Sequence, residues 1–279
     1  MAKKQYGEAL NSLEEALKLA PDSTEALGAI ARVHIVQGTP KAAFARVEQG
    51  LKGSKNPAGL YQLLGEISFA TRDYGRAIEF LEKAVNLNPE LTSAYYMIGN
   101  AYAAQKRFDT ALDQYQKIVK KTPNAIPAYM MIGTLYDLQK QPAKANEVYQ
   151  KVLDINKGFV PAANNLAWNY AEHGGNIDIA LTMAQKAREA RSDDPAIADT
   201  LGWVHFKKKS YPTAIALLKE SSEKFKNSNP TVLYHLAQAF DKNGEEEMAR
   251  QSVTKALALN TEFAELPEAK KLLASLGGK

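Results

Sequence analysis

The sequence predicts an all-α solenoid built from helix–turn–helix repeats, and three observations carry that expectation. A small residue followed twelve positions later by an alanine recurs along the chain: Ala31/Ala43, Gly65/Ala77, Gly99/Ala111, Gly133/Ala145, Gly202/Ala214 and Ala237/Ala249, with Ala167/Ala180 stretched by one residue. The first member advances from 31 to 65, 99, 133 and 167 in strides of 34, then to 202 and 237 in strides of 35. A fixed period in this range is the signature of a solenoid. Prolines mark the same period. Pro21, Pro89 and Pro123 share one repeat position, and elsewhere Pro57, Pro161, Pro195 and Pro230 follow it by two to four residues. Proline lacks an N–H and disfavours helix in the residue before it, so each one ends a helix and opens the next repeat.

Within one period the apolar spacing defines two helices, A and B. Tyr95, Ile98, Gly99 and Tyr102 fall at i, i+3, i+4 and i+7, one helical face, and Ala111, Tyr115 and Ile118 form a second. Between them, Lys106-Arg107-Phe108-Asp109 is a polar turn with one aromatic plug. Two helices approach closely only where the crossing side chains are small, which explains the paired Gly/Ala positions. A lone hairpin cannot bury both faces and must stack on its neighbours.

In chain order, residues 1–23 read as a helix B without its helix A, with Ala9 and Ala16 seven apart, as are Ala77 and Ala84, and Pro21 closing the unit. The expectation is that Met1 lies inside a longer chain with further repeats upstream. Seven full repeats follow, at 24–57, 58–91, 92–125, 126–159, 160–194, 195–229 and 230–261. Residues 262–279 read as a capping helix from Phe263 to Leu276, with Pro267 near its start and Gly277-Gly278 past its end. Its Glu265, Glu268, Lys270 and Lys271 should face water, which caps the array. A solenoid has no internal boundary, so 279 residues are expected to form one domain.

Composition narrows the function. The chain is 45% hydrophobic and 24% charged, with a net charge of +4 and no cysteine. Disulfides and thiolate metal sites are therefore excluded. The lysine runs Lys120-Lys121 and Lys207-Lys208-Lys209 fall in or beside turns rather than in a stripe along one face, so no nucleic-acid partner is expected. No signal peptide and no long apolar run is present.

The pattern aromatic/Leu–x–x–Leu/Ile–Gly/Ala–x–x–Tyr…Ala…aromatic/Leu…Ala…Pro resembles the tetratricopeptide repeat. Its best copies are Tyr95–Ile98–Gly99–Tyr102–Ala111–Tyr115–Pro123 and Tyr129–Ile132–Gly133–Tyr136–Ala145–Tyr149. The resemblance spans nearly the whole chain. It implies a right-handed superhelical solenoid, with A helices lining a concave groove where protein partners bind. Two segments are more particular: Asn164-Asn165-Leu166-Ala167-Trp168-Asn169-Tyr170-Ala171-Glu172, and Asp199-Thr200-Leu201-Gly202-Trp203 followed by Tyr234-His235-Leu236-Ala237. In this order they resemble the C-terminal repeats of bacterial tetratricopeptide lipoproteins associated with exosortase (PEP-CTERM) sorting and exopolysaccharide clusters. That likeness implies a scaffold of the bacterial cell envelope, periplasmic and lipid-anchored in its full-length form.

Groove-facing positions of the A helices are those not used in packing. They supply Tyr96, Met97 and Asn100 from the third repeat and Met130 and Met131 from the fourth. Asn164, Asn165 and Trp168 come from the fifth, Asp199, Trp203 and Phe206 from the sixth, and Tyr234, His235 and Gln238 from the seventh. Trp168 and Trp203 occupy the same position in adjacent repeats. They are read as ligand anchors, the residue type that most often dominates binding, or else as wedges that pack neighbouring A helices. The amides could pair with the backbone of an extended peptide, since each both donates and accepts, or simply form a solvated wall. The methionines suit an adaptable contact surface, although at helical spacing they also suit a core.

No catalytic chemistry is legible. His34 and His205 fall where Tyr102, Tyr136 and Tyr170 sit in other repeats, and so read as packing residues. His173 precedes Gly174-Gly175 in an irregular turn with no following phosphate-loop Gly-Lys-Ser/Thr. No nucleophile–base pair, no metal-ligand spacing and no cofactor motif appears. The lysine–asparagine pattern of carboxylate-clamp tetratricopeptide domains is also missing from every run of three successive repeats. The expected function is a non-catalytic interaction scaffold holding a peptide segment or partner helix. Polysaccharide binding, or a structural array self-associating through its N-terminal helix, are the alternatives.

Overall fold

The computed structural model describes residues 2–259 and 261–277, with side chains from Gln5 onward. Gly278, which the sequence places just past the capping helix, lies outside the described residues. Sixteen helices and no strand occur among the described residues. They are α1 (Ala2–Leu19), α2 (Thr24–Val36), α3 (Pro40–Leu51), α4 (Pro57–Ala70), α5 (Tyr74–Leu87), α6 (Thr92–Ala104), α7 (Phe108–Lys121) and α8 (Ile126–Leu138). After these come α9 (Pro142–Ile155), α10 (Val160–Glu172), α11 (Ile177–Ala190), α12 (Pro195–Lys207), α13 (Tyr211–Lys224), α14 (Pro230–Lys242), α15 (Glu246–Ala258) and α16 (Leu266–Ser275). None is long and apolar enough to cross a membrane. The architecture is a helical repeat solenoid.

Contacts divide the chain into two compact units, residues 1–139 and 140–279. The division falls in the turn after α8. Within each unit a helix A packs on its own helix B, and that B packs on the next A, as in α4 on α5 and α5 on α6.

The packing rule behind the small residues is a match of sizes one helical turn beyond the alanine. A Cβ added to Gly99 would sit 2.7 Å from the Tyr115 ring, one added to Gly65 would sit 2.6 Å from Leu81, and one added to Gly202 would sit 2.8 Å from Leu218. Each of those partners lies sixteen residues downstream and is fully buried. Where the B-helix partner is smaller, alanine replaces glycine: Ala31 shares a cluster with Val47, Ala167 with Ala184 and Ala237 with Val253. The twelve-residue alanines are themselves buried to 0%.

The A-to-B turns repeat a single geometry. One residue in each has a left-handed φ: Gly38 (72°), Arg72 (62°), Lys106 (61°), Lys140 (58°), Gly174 (81°), Lys209 (61°) and Gly244 (83°). At the end of α6, Lys106 N donates to Ala103 O and Arg107 N to Tyr102 O, both at 2.9 Å, the paired bonds of a Schellman stop. The same six-residue closure recurs at Thr39–His34, Asp73–Ser68, Ser210–His205 and Glu245–Phe240. Helix starts are capped by side chains, including Asn56, Asp73, Asp194 and Asn229.

The C-terminal helix is shorter than the sequence suggests. It begins at Leu266 rather than Phe263, because Pro267 has no N–H to donate and suits only the first turn. Phe263 still packs, together with Leu272, Leu273 and Leu276, on Tyr234, Ala237 and Val253.

Candidate functional site

Three A helices of the second unit, α10, α12 and α14, bring the predicted aromatic residues together. Trp203 is the centre. Its ring lies 4.7 Å from Phe206 at 14°, 4.3 Å from His235 at 30°, and 5.8 Å from Trp168 at 25°. Trp168 also approaches His235 at 5.3 Å. The polar edges are satisfied locally. Trp203 Nε1 donates to Glu172 Oε2 at 2.8 Å, and Lys207 Nζ reaches the same oxygen at 3.0 Å while lying 5.0 Å above the Trp203 ring. His235 Nδ1 donates to Asp199 Oδ1 at 2.9 Å. The chain thus joins Glu172 of α10, Asp199 and Trp203 of α12 and His235 of α14 in one network.

This arrangement corrects the expected exposure of three residues. Trp203 is 5% exposed, Tyr234 6% and His235 2%, so they are interior side chains rather than an open platform. For Trp203 and His235 the physical reason is that neighbouring A helices pack directly on one another, α10 on α12 and α12 on α14, whereas Tyr234 is covered by α15 and the C-terminal helix α16. An aromatic residue at these positions fills that seam before it can face a ligand. Burial, with the nearby carboxylates Glu268, Glu265 and Glu172, pushes the Tyr234 phenol up to about 12. Trp168, Phe206, Asn164, Asn165, Asp199 and Gln238 are half-buried and form the accessible part of the patch. Two atoms there are unusual: Asn164 Oδ1 and Gln238 Oε1 are buried yet accept no hydrogen bond. Each such oxygen represents a desolvation cost of about 1–3 kcal/mol unless a donor reaches it.

The remaining predicted residues lie in the first unit. Tyr96, Met97, Asn100, Met130 and Met131 are half-buried on α6 and α8. Asn100 Oδ1 already accepts from Tyr115 Oη at 2.6 Å, which leaves that amide only partly available. Tyr96 lies 6.1 Å from the Tyr115 ring, and burial raises its phenol above the usual range. Beside them, Gln62 donates to Glu66 at 2.8 Å and accepts from Ser93 at 3.1 Å.

A cleft of about 420 Å³ between α2 and α4, lined by Glu25, Gly28, Arg32, Gly59, Gln62 and Glu66, was not singled out as a site from the sequence, although Gln62 and Glu66 fall at groove-facing repeat positions. The available signal was the pair Gly28 and Gly59 at groove-facing positions. Among the other histidines, His34 Nδ1 lies 3.0 Å from Thr39 Oγ1 in a turn. Burial and the nearby Lys208 push the His205 imidazole down. No group of three or more metal-ligating side chains occurs among the described residues.

Models of the tetratricopeptide repeat match residues 1–67, 58–91, 90–158 and 230–263, together well over half the chain. No curated protein sequence matches. A tetratricopeptide repeat protein from Parabacteroides merdae superposes with a TM-score of 0.69 at 17% identity, covering 92% of this chain and 99% of that one. MamA superposes at 0.52 and 27% identity over 59% of this chain and 94% of its own. YrrB, described as having an unusual peptide-binding site, superposes at 0.51 and 20% identity over 70% and 97% respectively.

Proposed function

The chain belongs to the tetratricopeptide repeat family, and from that premise we propose that it is a non-catalytic scaffold binding an extended peptide on the A-helix face of α10, α12 and α14. The family consists in general of interaction scaffolds. The observation that carries the more specific reading is the pair of buried amide oxygens without donors, Asn164 Oδ1 and Gln238 Oε1, on the two helices that flank α12. Both are acceptors, and an extended backbone offers N–H donors at regular intervals. Half-buried Trp168 supplies an apolar contact between them, resting on the buried Trp203 and His235 rings. Trp203 and His235 then act by holding Trp168, not by touching the ligand.

The role in bacterial envelope sorting or polysaccharide export rests on the two motifs at 164–172 and 199–203. Their Trp168, Glu172, Asp199 and Trp203 belong to one network, which gives a physical reason for them to occur together. A polysaccharide ligand would use the same Trp168 face and amides.

The test is selection of peptides from a displayed library on the full chain, followed by calorimetry. Asn164→Ala and Gln238→Ala should each weaken a selected peptide roughly five- to tenfold, the worth of one hydrogen bond. Trp168→Ala should cost about 2 kcal/mol, near thirtyfold. Peptides that bind all three variants undiminished, with helicity unchanged, would place the site elsewhere. Saturable binding of oligosaccharides but of no selected peptide would favour the polysaccharide reading.

A further inference from the structure

The charges on α10, α12 and α14 pair off with one exception. These helices carry three carboxylates, Glu172, Asp199 and Asp241, against two cations, Lys207 and Lys242. Lys207 Nζ lies 3.0 Å from Glu172 Oε2, and Lys242 Nζ lies 3.1 Å from Asp241 Oδ2. Asp199 has no lysine or arginine partner among the described residues. It is also the most secluded of the three, its side chain 14% exposed against 36% for Glu172 and 25% for Asp241. One of its oxygens accepts from His235 Nδ1, and the other accepts no hydrogen bond from the described residues. A carboxylate withdrawn from water is costly unless a counter-charge or several hydrogen bonds offset it. Nor does the neighbouring surface supply a cation: after burial, it is the carboxylates Glu268, Glu265 and Glu172 that raise the Tyr234 phenol.

The next repeat shows what a complete arrangement looks like. At Trp203, Lys207 Nζ sits 5.0 Å above the ring while pairing with Glu172, so aromatic face, cation and carboxylate come together. Trp168 holds the same repeat position, but the residue one turn further on is Glu172 where Trp203 has Lys207. No lysine or arginine of the described residues lies over the Trp168 ring. A carboxylate is nevertheless at hand: Trp168 lies 5.3 Å from the His235 ring, which bonds Asp199 at 2.9 Å. The half-buried Trp168 rests on Trp203 and His235 and leaves the rest of its ring open. We infer, on the peptide-binding reading above, that the partner is a basic peptide, with an arginine side chain stacked on Trp168 and paired with Asp199. The amide oxygens of Asn164 and Gln238 hold the backbone to either side, and Asp199, on the helix between them, takes the side chain. Arginine fits better than lysine because its planar guanidinium stacks on an indole, is more weakly hydrated than an ammonium and donates to a carboxylate through two N–H groups at once.

The test uses the full chain, a displayed library of random peptides and synthetic copies of those it selects. Arginine should be enriched at one position of the selected sequences. Replacing that arginine by citrulline, which keeps the shape and loses the charge, should weaken binding at least about tenfold. On Asp199→Asn, whose amide oxygen can still accept from His235, the same replacement should cost less than about threefold, because the two changes remove one interaction. Circular dichroism reports that the variant folds, and the citrulline peptide tests the unaltered protein. Selected peptides that Trp168→Ala weakens but that carry no such arginine, or lose nothing with citrulline, overturn the inference and leave the scaffold reading standing. An equal citrulline penalty on Asp199→Asn overturns it too, since the cation then sits elsewhere. If Trp168→Ala weakens no selected peptide, the peptide-binding reading itself fails, and the basic partner with it.

Discussion

At the scale of single residues, the turns and the helix crossings decide the fold. Lys106 holds a left-handed φ of 61° that glycine adopts freely in three equivalent turns. Relief of that strain is worth about 1–2 kcal/mol, and the added freedom of the unfolded glycine takes back roughly 0.4–1. Lys106→Gly should therefore raise stability by about 0.5 kcal/mol in urea titration. Gly244→Ala, at φ 83°, should lower it by about 1 kcal/mol. Gly99→Ala should cost about 1–3 kcal/mol, because the Tyr115 ring is fully buried, tied to Asn100 and unable to retreat. Adding Tyr115→Val should cost less than the two changes summed, since Ala31 with Val47 is this chain's own version of that pair. The Gly/Ala positions were legible from period alone. Their true partners were not, because the regular alanine twelve residues on is the conspicuous signal, whereas the colliding side chain four residues later varies from alanine to tyrosine. The turn residues were hidden for a different reason: lysine and arginine carry no sequence mark of a left-handed backbone.

At the scale of elements, neighbouring B helices are tied by ion pairs between successive repeats. Glu220 of α13 meets Arg188 of α11 at 2.6 Å and Lys224 at 2.8 Å, and the Lys224 bond, followed by that of Arg188, holds its carboxyl below the usual value. A carboxylate with a depressed folded-state pKa stabilises the protein above its unfolded value near 4.5, and the benefit fades as pH falls through the lower folded value. Glu220→Gln should therefore lose stability at neutral pH, by no more than about 1 kcal/mol for so accessible a group. The variant and the parent should converge below about pH 4, in melts across that range. A constant difference down to pH 3 would mean the loss is packing, not charge. The candidate site is also an element-scale feature. Its residues were readable from their repeat positions, but their exposure was not, because adjacent A helices bury Trp203 and His235 between them, α15 and α16 cover Tyr234, and Trp168 is left nearer the surface. Helical periodicity says which face a residue occupies and nothing about how closely the next helix approaches that face.

At the scale of the molecule, membership of a repeat family that consists in general of interaction scaffolds makes recognition the property to test. The chain's two units each contain their own core, and the second holds both tryptophans. That placement makes the central claim, ligand binding on the face of α10, α12 and α14 through Trp168, accessible to one optical experiment. In a Trp203→Phe variant, Trp168 alone reports, and its emission should be quenched by acrylamide in the free chain and shielded by a library-selected peptide as binding saturates. Emission that is already shielded without ligand, or that no bound peptide alters, would contradict the claim and make Trp168 a packing residue like its neighbour.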